Sequence, residues 1–262
     1  MKILVCVKQV PESNNVQIDP ITHNLVRSGI AGIINPYDKN AIEAALHLKD
    51  QINAEVILMS MGPQDNEVSL REGMAMGADR GILLSSRKFA GSDTLATGYV
   101  LSQAIKKLGD VDLVFFGRQA VDADTGQVGP IVAEFLNWPQ ITFASELELA
   151  GDGSIVGTRQ LENTEQVVRV QLPAIVTARS ELNQPRYETP RNIQQSFKKE
   201  IDVWTEADLE LEEARIGISG SPTIVKSITT PERKAKETVY LSEQPKEAVN
   251  ELLTALKAKN LI

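Results

Sequence analysis

Cysteine is almost missing from this chain: Cys6 stands alone among 262 residues, and His23 and His47 are the only histidines. No disulfide can close within the chain, and these side chains cannot by themselves build a zinc finger or a four-cysteine iron–sulfur cluster. Long hydrophobic runs are missing too. The first, Ile3 to Val7, stops at Lys8, too short for a signal-peptide core and far below the ~20 residues of a membrane span. Basic residues are in deficit, 27 against 35 acidic, for a formal charge of −8. That balance argues against a binder of nucleic-acid backbones. No Walker P-loop, no Gly-x-Gly-x-x-Gly after the first strand and no Gly-x-Ser-x-Gly are present. The chain is expected to be soluble and cytoplasmic.

What is there is an alternation. Ile3-Leu4-Val5-Cys6-Val7 is a continuous apolar run, the pattern of a strand covered on both faces. Val16 to Val26 reads as a hairpin with Asp19-Pro20 and His23-Asn24 as turns. Asn35-Pro36-Tyr37-Asp38 then opens a helix, and Glu55 to Met61 is a second buried strand. Asp65 is expected to cap a helix running to Met76, Ile82-Leu83-Leu84 to form a third strand, and Asp93-Thr94 to begin a helix closed by Gly109. Leu113 to Gly117 is the fourth strand. This order predicts an α/β fold, a parallel sheet sandwiched by helices.

After Trp138-Pro139, Thr142–Leu149, Ser154–Leu161 and Gln166–Val170 read as antiparallel strands, and Pro173 to Thr177 as one more buried strand. Beyond about Lys198 the composition turns charged and no buried strand is expected. Residues 1–199 are therefore read as an α/β nucleotide-binding domain, and 200–262 as an extended arm ending in a helix (Pro245 to Lys259) that lies on a partner.

The most informative stretch is Gly117-Arg118-Gln119-Ala120-Val121-Asp122-Ala123-Asp124-Thr125-Gly126-Gln127-Val128-Gly129-Pro130, which leaves a buried strand and enters a helix expected over Ile131 to Leu136. In an open parallel sheet such a junction is where ligands bind. Free N–H groups at the helix start, a Thr hydroxyl and a Gly that permits close approach suit a pyrophosphate. An ordinary Asp or Thr cap is the competing reading, and both stay open. Asn35-Pro36-Tyr37-Asp38 and Ser60-Met61-Gly62-Pro63 are turns that also end beside strands. His23, His47 and Cys6 have no catalytic partner near in sequence and read as structural. Arg186 to Asn192 is a solvated linker or a presented loop.

Together these pieces resemble the β subunits of electron transfer flavoproteins along the whole chain. The matching elements include Ile3 to Gln9, Asn35-Pro36, Ala75 to Arg80, the Gly117–Pro130 segment, Leu136 to Gln140, Leu172 to Thr177 and Asn183 to Tyr187. Asn163-Thr164, in an expected hairpin turn, departs from the family's usual acidic or Gly residues. Asp122-x-Asp124-Thr125-x-Gln127-Val128-Gly129-Pro130, with Lys8 to Glu12 and Asn35 to Asp38, is most similar to the electron-bifurcating branch.

The resemblance implies an adenine nucleotide α-hydrolase-like sandwich paired with a larger α subunit that carries FAD. It implies a nucleotide pocket lined by Cys6, Asn35, Pro36, Tyr37, Asp38, Met61 and Val121, Asp122, Ala123, Asp124, Thr125, Gly126, Gln127, Val128, Gly129, Pro130, Ile131 and Val132. The pocket would hold FAD in the bifurcating branch, or structural AMP in simpler members, with Arg118 a candidate for tuning flavin charge. NADH would be the donor. Electrons would pass to ferredoxin or flavodoxin and, through the α subunit, to an acyl-CoA or 2-hydroxyacid dehydrogenase. Tyr187, Glu188, Thr189, Pro190, Arg191, Asn192, Ile193, Gln194 and Gln195 match the loop that contacts the dehydrogenase. An ATP-binding regulatory protein of the universal-stress type shares the layout, but the long arm argues against so self-sufficient a module.

Overall fold

A computed structural model describes residues 1–12, 17–18, 25–26, 32–226 and 238–262. The first strand, β1 (Lys2–Cys6), forms where its apolar run predicts, with Ile3, Leu4 and Val5 wholly buried. β2 (Gln9–Pro11) pairs antiparallel with β5 (Gly32–Ile34), and β3 (Gln17–Ile18) with β4 (Leu25–Val26). The expected hairpin is thus seen in its paired residues. Its turns, including His23, lie outside the described residues.

Then follow α1 (Pro36–Gln51), β6 (Glu55–Met61), α2 (Glu67–Met76), β7 (Arg80–Leu84), α3 (Thr94–Leu108) and β8 (Leu113–Gly117). Two of these helix starts have a local cause: Pro36 sits in the first turn of α1, where its missing N–H is no loss, and Asp93 caps α3 by accepting from the Leu95 and Ala96 N–H groups. The chain continues through α4 (Val128–Leu136), β9 (Gln140–Leu149), β10 (Ser154–Gln160), β11 (Glu165–Gln171), β12 (Ala174–Ala178), α5 (Pro190–Ser196) and β13 (Ile201–Trp204).

The main sheet runs β11-β10-β9-β12-β8-β1-β6-β7-β13. Neighbours from β9 to β13 are parallel; β10 and β11 are antiparallel additions. Strand alternation feeds two cores. Ile3, Val5 and Val7 pack with α1 and α2 on one face, while Leu4 and Cys6 pack with α3 and α4 on the other. Burial of this kind contributes roughly 1.5–3 kcal/mol for each large apolar side chain. From β1 the chain steps outward through β6 and β7, then returns across β1 to β8 and β12. The crevice between β1 and β8 is therefore the sheet's switch point.

Several expectations need correction. Asp65 caps no helix: it is exposed in a single 3-10 turn (Gln64–Asn66), and α2 begins after it with Asn66 at its cap position. α4 starts at Val128 rather than Ile131. β9 is antiparallel only to β10 and pairs parallel with β12.

A strand does return after residue 200: β13 pairs parallel with β7 at the sheet edge. β13 is short and only half-buried: Ile201 packs against the α1/α2 core, Trp204 against the α3/α4 core, and Val203 is exposed, so no buried apolar run marks it. Leu209 and Ile216 are buried in the α3/α4 core, and the first compact unit extends over Met1–Lys226 rather than stopping at 199. The second unit, Ser227–Ile262, contains the expected terminal helix, α6 (Pro245–Ala258). Val249, Leu252, Leu253 and Leu256 recur at i, i+3, i+4 and i+7 along it, and none is buried.

Candidate functional site

Cys6 at the end of β1 lies level with Met59 of β6 and Phe116 of β8, so the segments that follow these strands leave from one edge of the sheet. The start of α1 is brought to the same edge, where the Asn35 N–H donates to the Lys8 carbonyl at 2.9 Å. The Asp38 carboxylate then accepts from the Lys8 N–H at 2.7 Å, the Gly117 N–H at 3.1 Å and Asn35 Nδ2 at 3.0 Å. One carboxylate ties the ends of β1 and β8 together. A Cβ on Gly117 would come within 2.7 Å of the Tyr37 carbonyl carbon, which is why glycine stands there.

Asn35 is wholly buried and does not cap its own helix. Its Nδ2 donates to the Gln119 carbonyl at 2.8 Å and its Oδ1 accepts from the Val121 N–H at 3.1 Å. The side chain imitates a strand neighbour for the loop after β8. Burial raises the Asp38 carboxyl to about 7, against the pull of the Lys8 N–H, the Asn35 amide, the Gly117 N–H and the Lys8 charge. Burial first, and the nearby Asp38 second, push the Cys6 thiol far up, so it stays protonated and acts as packing.

Beyond this bracket, Val121 to Thr125 are exposed. Asp124 (φ 56°) and Gly126 (φ 62°) adopt left-handed backbone, and Gln119 Nε2 donates to Asp124. Lys8 Nζ reaches both oxygens of Asp122, at 2.7 and 2.8 Å, and Thr94 Oγ1 donates to Gln127 at 2.9 Å. No side chain caps α4, so neither Asp nor Thr satisfies its first N–H groups. The Arg118 Nε is buried and has no hydrogen-bond partner. An uncapped helix start, a permissive glycine and an unpartnered guanidinium N–H fit the phosphates of a nucleotide.

The other residues expected at the pocket divide into two groups. Pro36 is exposed, and Tyr37 and Met61 are half-buried at the strand ends. Ala123 lies on the exposed loop, its N–H donating to the Ala120 carbonyl. Gly129 and Pro130 form the first turn of α4. Ile131 instead points to Gly98 of α3, and Val132 is wholly buried in the core beneath α4. His47 is exposed on α1 beside Gln51. Among the described residues, no group of metal-ligating side chains gathers, and no helix is long and apolar enough to cross a membrane.

The segment expected to dock a partner is held at both ends. Arg186 donates from its backbone N–H (3.0 Å), Nε (2.8 Å) and Nη2 (3.0 Å) to Glu43 on α1, and from Nη2 to Asp50 at 2.8 Å. At the far end Arg71 of α2 donates to the Ser196 and Lys199 carbonyls, and Lys199 Nζ caps the end of α2 at the Met74 and Ala78 carbonyls. Between them Thr189 caps α5, a helix where sequence reading placed only a linker or loop. Tyr187 is 95% exposed and Ile193 40%. Phe197, 70% exposed, extends this apolar face beyond Gln195. Its spacing of four from Ile193 across a Pro-initiated helix was the available signal.

A family model described as the electron transfer flavoprotein domain matches residues 22–209. The chain belongs to the electron transfer flavoprotein family. It is similar to electron transfer flavoprotein subunit beta of Thermoanaerobacterium thermosaccharolyticum, 45% identical over the whole of both chains, and equally to that of Clostridium acetobutylicum. It is also 42% identical, over the whole of both chains, to the CarD subunit of the caffeyl-CoA reductase–Etf complex of Acetobacterium woodii. In this electron transfer flavoprotein chain, the β-subunit likeness runs through the loop after β8 and the segment around α5 alike.

Proposed function

We propose that this chain is the β subunit of a cytoplasmic, electron-bifurcating electron transfer flavoprotein, and that the crevice at the ends of β1, β6 and β8 holds FAD. The observation that carries this reading is the loop after β8. Its Asp122-x-Asp124-Thr125-x-Gln127-Val128-Gly129-Pro130 pattern resembles the bifurcating branch, and it sits exposed at the switch point above an uncapped helix. Asn35 and Asp38 fix its main chain, the α4 N–H groups and Arg118 meet the phosphates, and Lys8 with Asp122 closes one side.

A flavin bound there supplies hydride acceptance from NADH and release of single electrons, to ferredoxin or flavodoxin and, through the α-subunit FAD, to a dehydrogenase. The protein's own part is position and exclusion of water. Cys6, with its thiol held neutral, adds an inert wall. Tyr187 to Gln195 form the docking face for an acyl-CoA or 2-hydroxyacid dehydrogenase. Residues 227–262 form an arm that packs on the α subunit: an isolated helix of α6's length is marginal in water, and its apolar stripe needs a cover.

Structural AMP would occupy the same adenylate position, so released nucleotide decides between the two. The complex with the α subunit is purified, denatured and its nucleotides quantified. Two FAD per heterodimer without AMP is the expected result. One FAD and one AMP overturns the bifurcating assignment.

A further inference from the structure

The two edges of the main sheet are finished differently. At one, β13 is four residues long, and its Asp202 is met by Arg80 of β7. At the other, β11 runs for seven residues, Glu165-Gln166-Val167-Val168-Arg169-Val170-Gln171, and among the described residues nothing pairs with its outer side. Edge strands are usually guarded by proline, lysine, a bulge or short length. β11 has none of these. It pairs with β10 one for one, from Gln160 opposite Glu165 to Ser154 opposite Gln171, without a shift. So long and regular an edge is a template for another strand.

The side chains point to which strand. Val168 and Val170 turn inward against the core shared with α1 and α2. Glu165, Val167 and Arg169 alternate with them on the other face and are exposed, Val167 by 75%. Two copies meeting at this edge are related by a two-fold axis, so each contact occurs twice. A register centred on Val167 sets it against Val167 of the second copy, Glu165 against the copy's Arg169 and Arg169 against the copy's Glu165. Centring on Gln166 or on Val168 brings no opposite charges together. Opposite charges across an antiparallel pair stabilise it, and like charges do the reverse. The pair that Arg169 makes with Asp152, at 3.0 Å, is more than half in water on both sides and holds it weakly.

We infer that β11 is a docking edge for a second copy of this chain, with the two β11 strands antiparallel about Val167 and the two sheets joined into one. Glu165 and Arg169 fix the register, and Val167 gives the apolar centre. One strand pair is small beside the roughly 1,200–2,000 Å² of a stable interface, so the contact is weak and forms as concentration rises. The inference rests on the edge alone and holds whichever nucleotide the crevice keeps.

The test follows the full-length chain, in its complex with the α subunit, by sedimentation velocity over rising concentration. The wild-type complex should double in mass. Glu165→Arg and Arg169→Glu should each weaken the association roughly tenfold or more, since like charges then meet twice. An equimolar mixture of the two variants should recover it, because a chain with two arginines at the edge then faces a chain with two glutamates. Val167→Cys serves should a charge variant not fold. The one native cysteine, Cys6, is buried, so oxidation should link two copies of this chain through residue 167. A wild-type complex of constant mass, single variants that associate as wild type does, a mixture that stays apart, or an oxidised Val167→Cys chain joined to the α subunit instead would each overturn the inference.

Discussion

The loop after β8 and the segment around α5 do the same task by opposite means. Each is an irregular stretch that must hold a fixed shape at the protein surface. The loop is held from below by a buried amide and a buried carboxylate, with Asn35 and Asp38 making five hydrogen bonds to main chain or to each other. The segment around α5 is held by charged side chains that remain partly in water: the Arg186 side chain is 35% exposed where it grips Glu43. Buried brackets are strong because losing one leaves unmade hydrogen bonds in a dry place. Ionic clasps at a surface are weaker, and salt screens them.

The sharpest way to break this contrast is Asn35→Ala. It leaves the Gln119 carbonyl and the Val121 N–H without partners, and should lower stability by about 3 kcal/mol while abolishing nucleotide retention, read by urea unfolding and nucleotide release. Gly117→Ala follows, because the new Cβ must displace the start of α1; about 2 kcal/mol and a weakened site are expected from the same measurements.

Asp38 gives a pH signature. Its folded carboxyl is raised to about 7, above its ordinary unfolded value, so its contribution is full below about pH 4 and is lost as pH rises through 7. The stability of wild type relative to Asp38→Asn should therefore fall between pH 4 and pH 8, read by chemical unfolding at each pH. A difference that rises with pH would mean that the three N–H donors outweigh burial.

On the other side, Arg186→Met should lower stability by only about 1–2 kcal/mol and leave nucleotide content intact. It should speed proteolysis at Tyr187, and its effect should shrink from 0.1 to about 1 M salt as the Debye length drops from about 10 to 3 Å. Lys8→Met is expected to be smallest, about 0–1 kcal/mol, since the Lys8 side chain is half in water.

The same division explains what was legible in the sequence. Buried parallel strands announce themselves: the apolar runs at Ile3, Glu55 and Leu113 place β1, β6 and β8 within a residue of where they form. The loop between β8 and α4 stood out through its Gly and Asp content. β13 was missed because it is four residues long, interrupted by Asp202 and preceded by charged residues, so no continuous apolar run reports it. α5 was missed because Ile193 and Phe197 make a single pair four apart, too little to establish a period, although Thr189-Pro190 was a readable helix start. Asp65 drew attention as a cap that the chain, already turning at Gln64–Asn66, does not use. Asn35 was visible as a residue, but its partners lie far along the chain, and no local pattern reports them. The arginine clasps were hidden for the same reason.

That separation has a consequence for how the protein is made. Asn35 joins Gln119 and Val121 across 84 and 86 residues, and Asp38 joins Lys8 to Gly117. No fragment short of β8 holds both halves of the bracket, so during synthesis the site cannot take shape until about the first half of the chain has emerged and β8 has closed against β1. Closing contacts so distant in sequence is slow. Completing this bracket is thus a late event in the life of the chain, and it requires that β1 and β8 already lie side by side at the centre of the sheet.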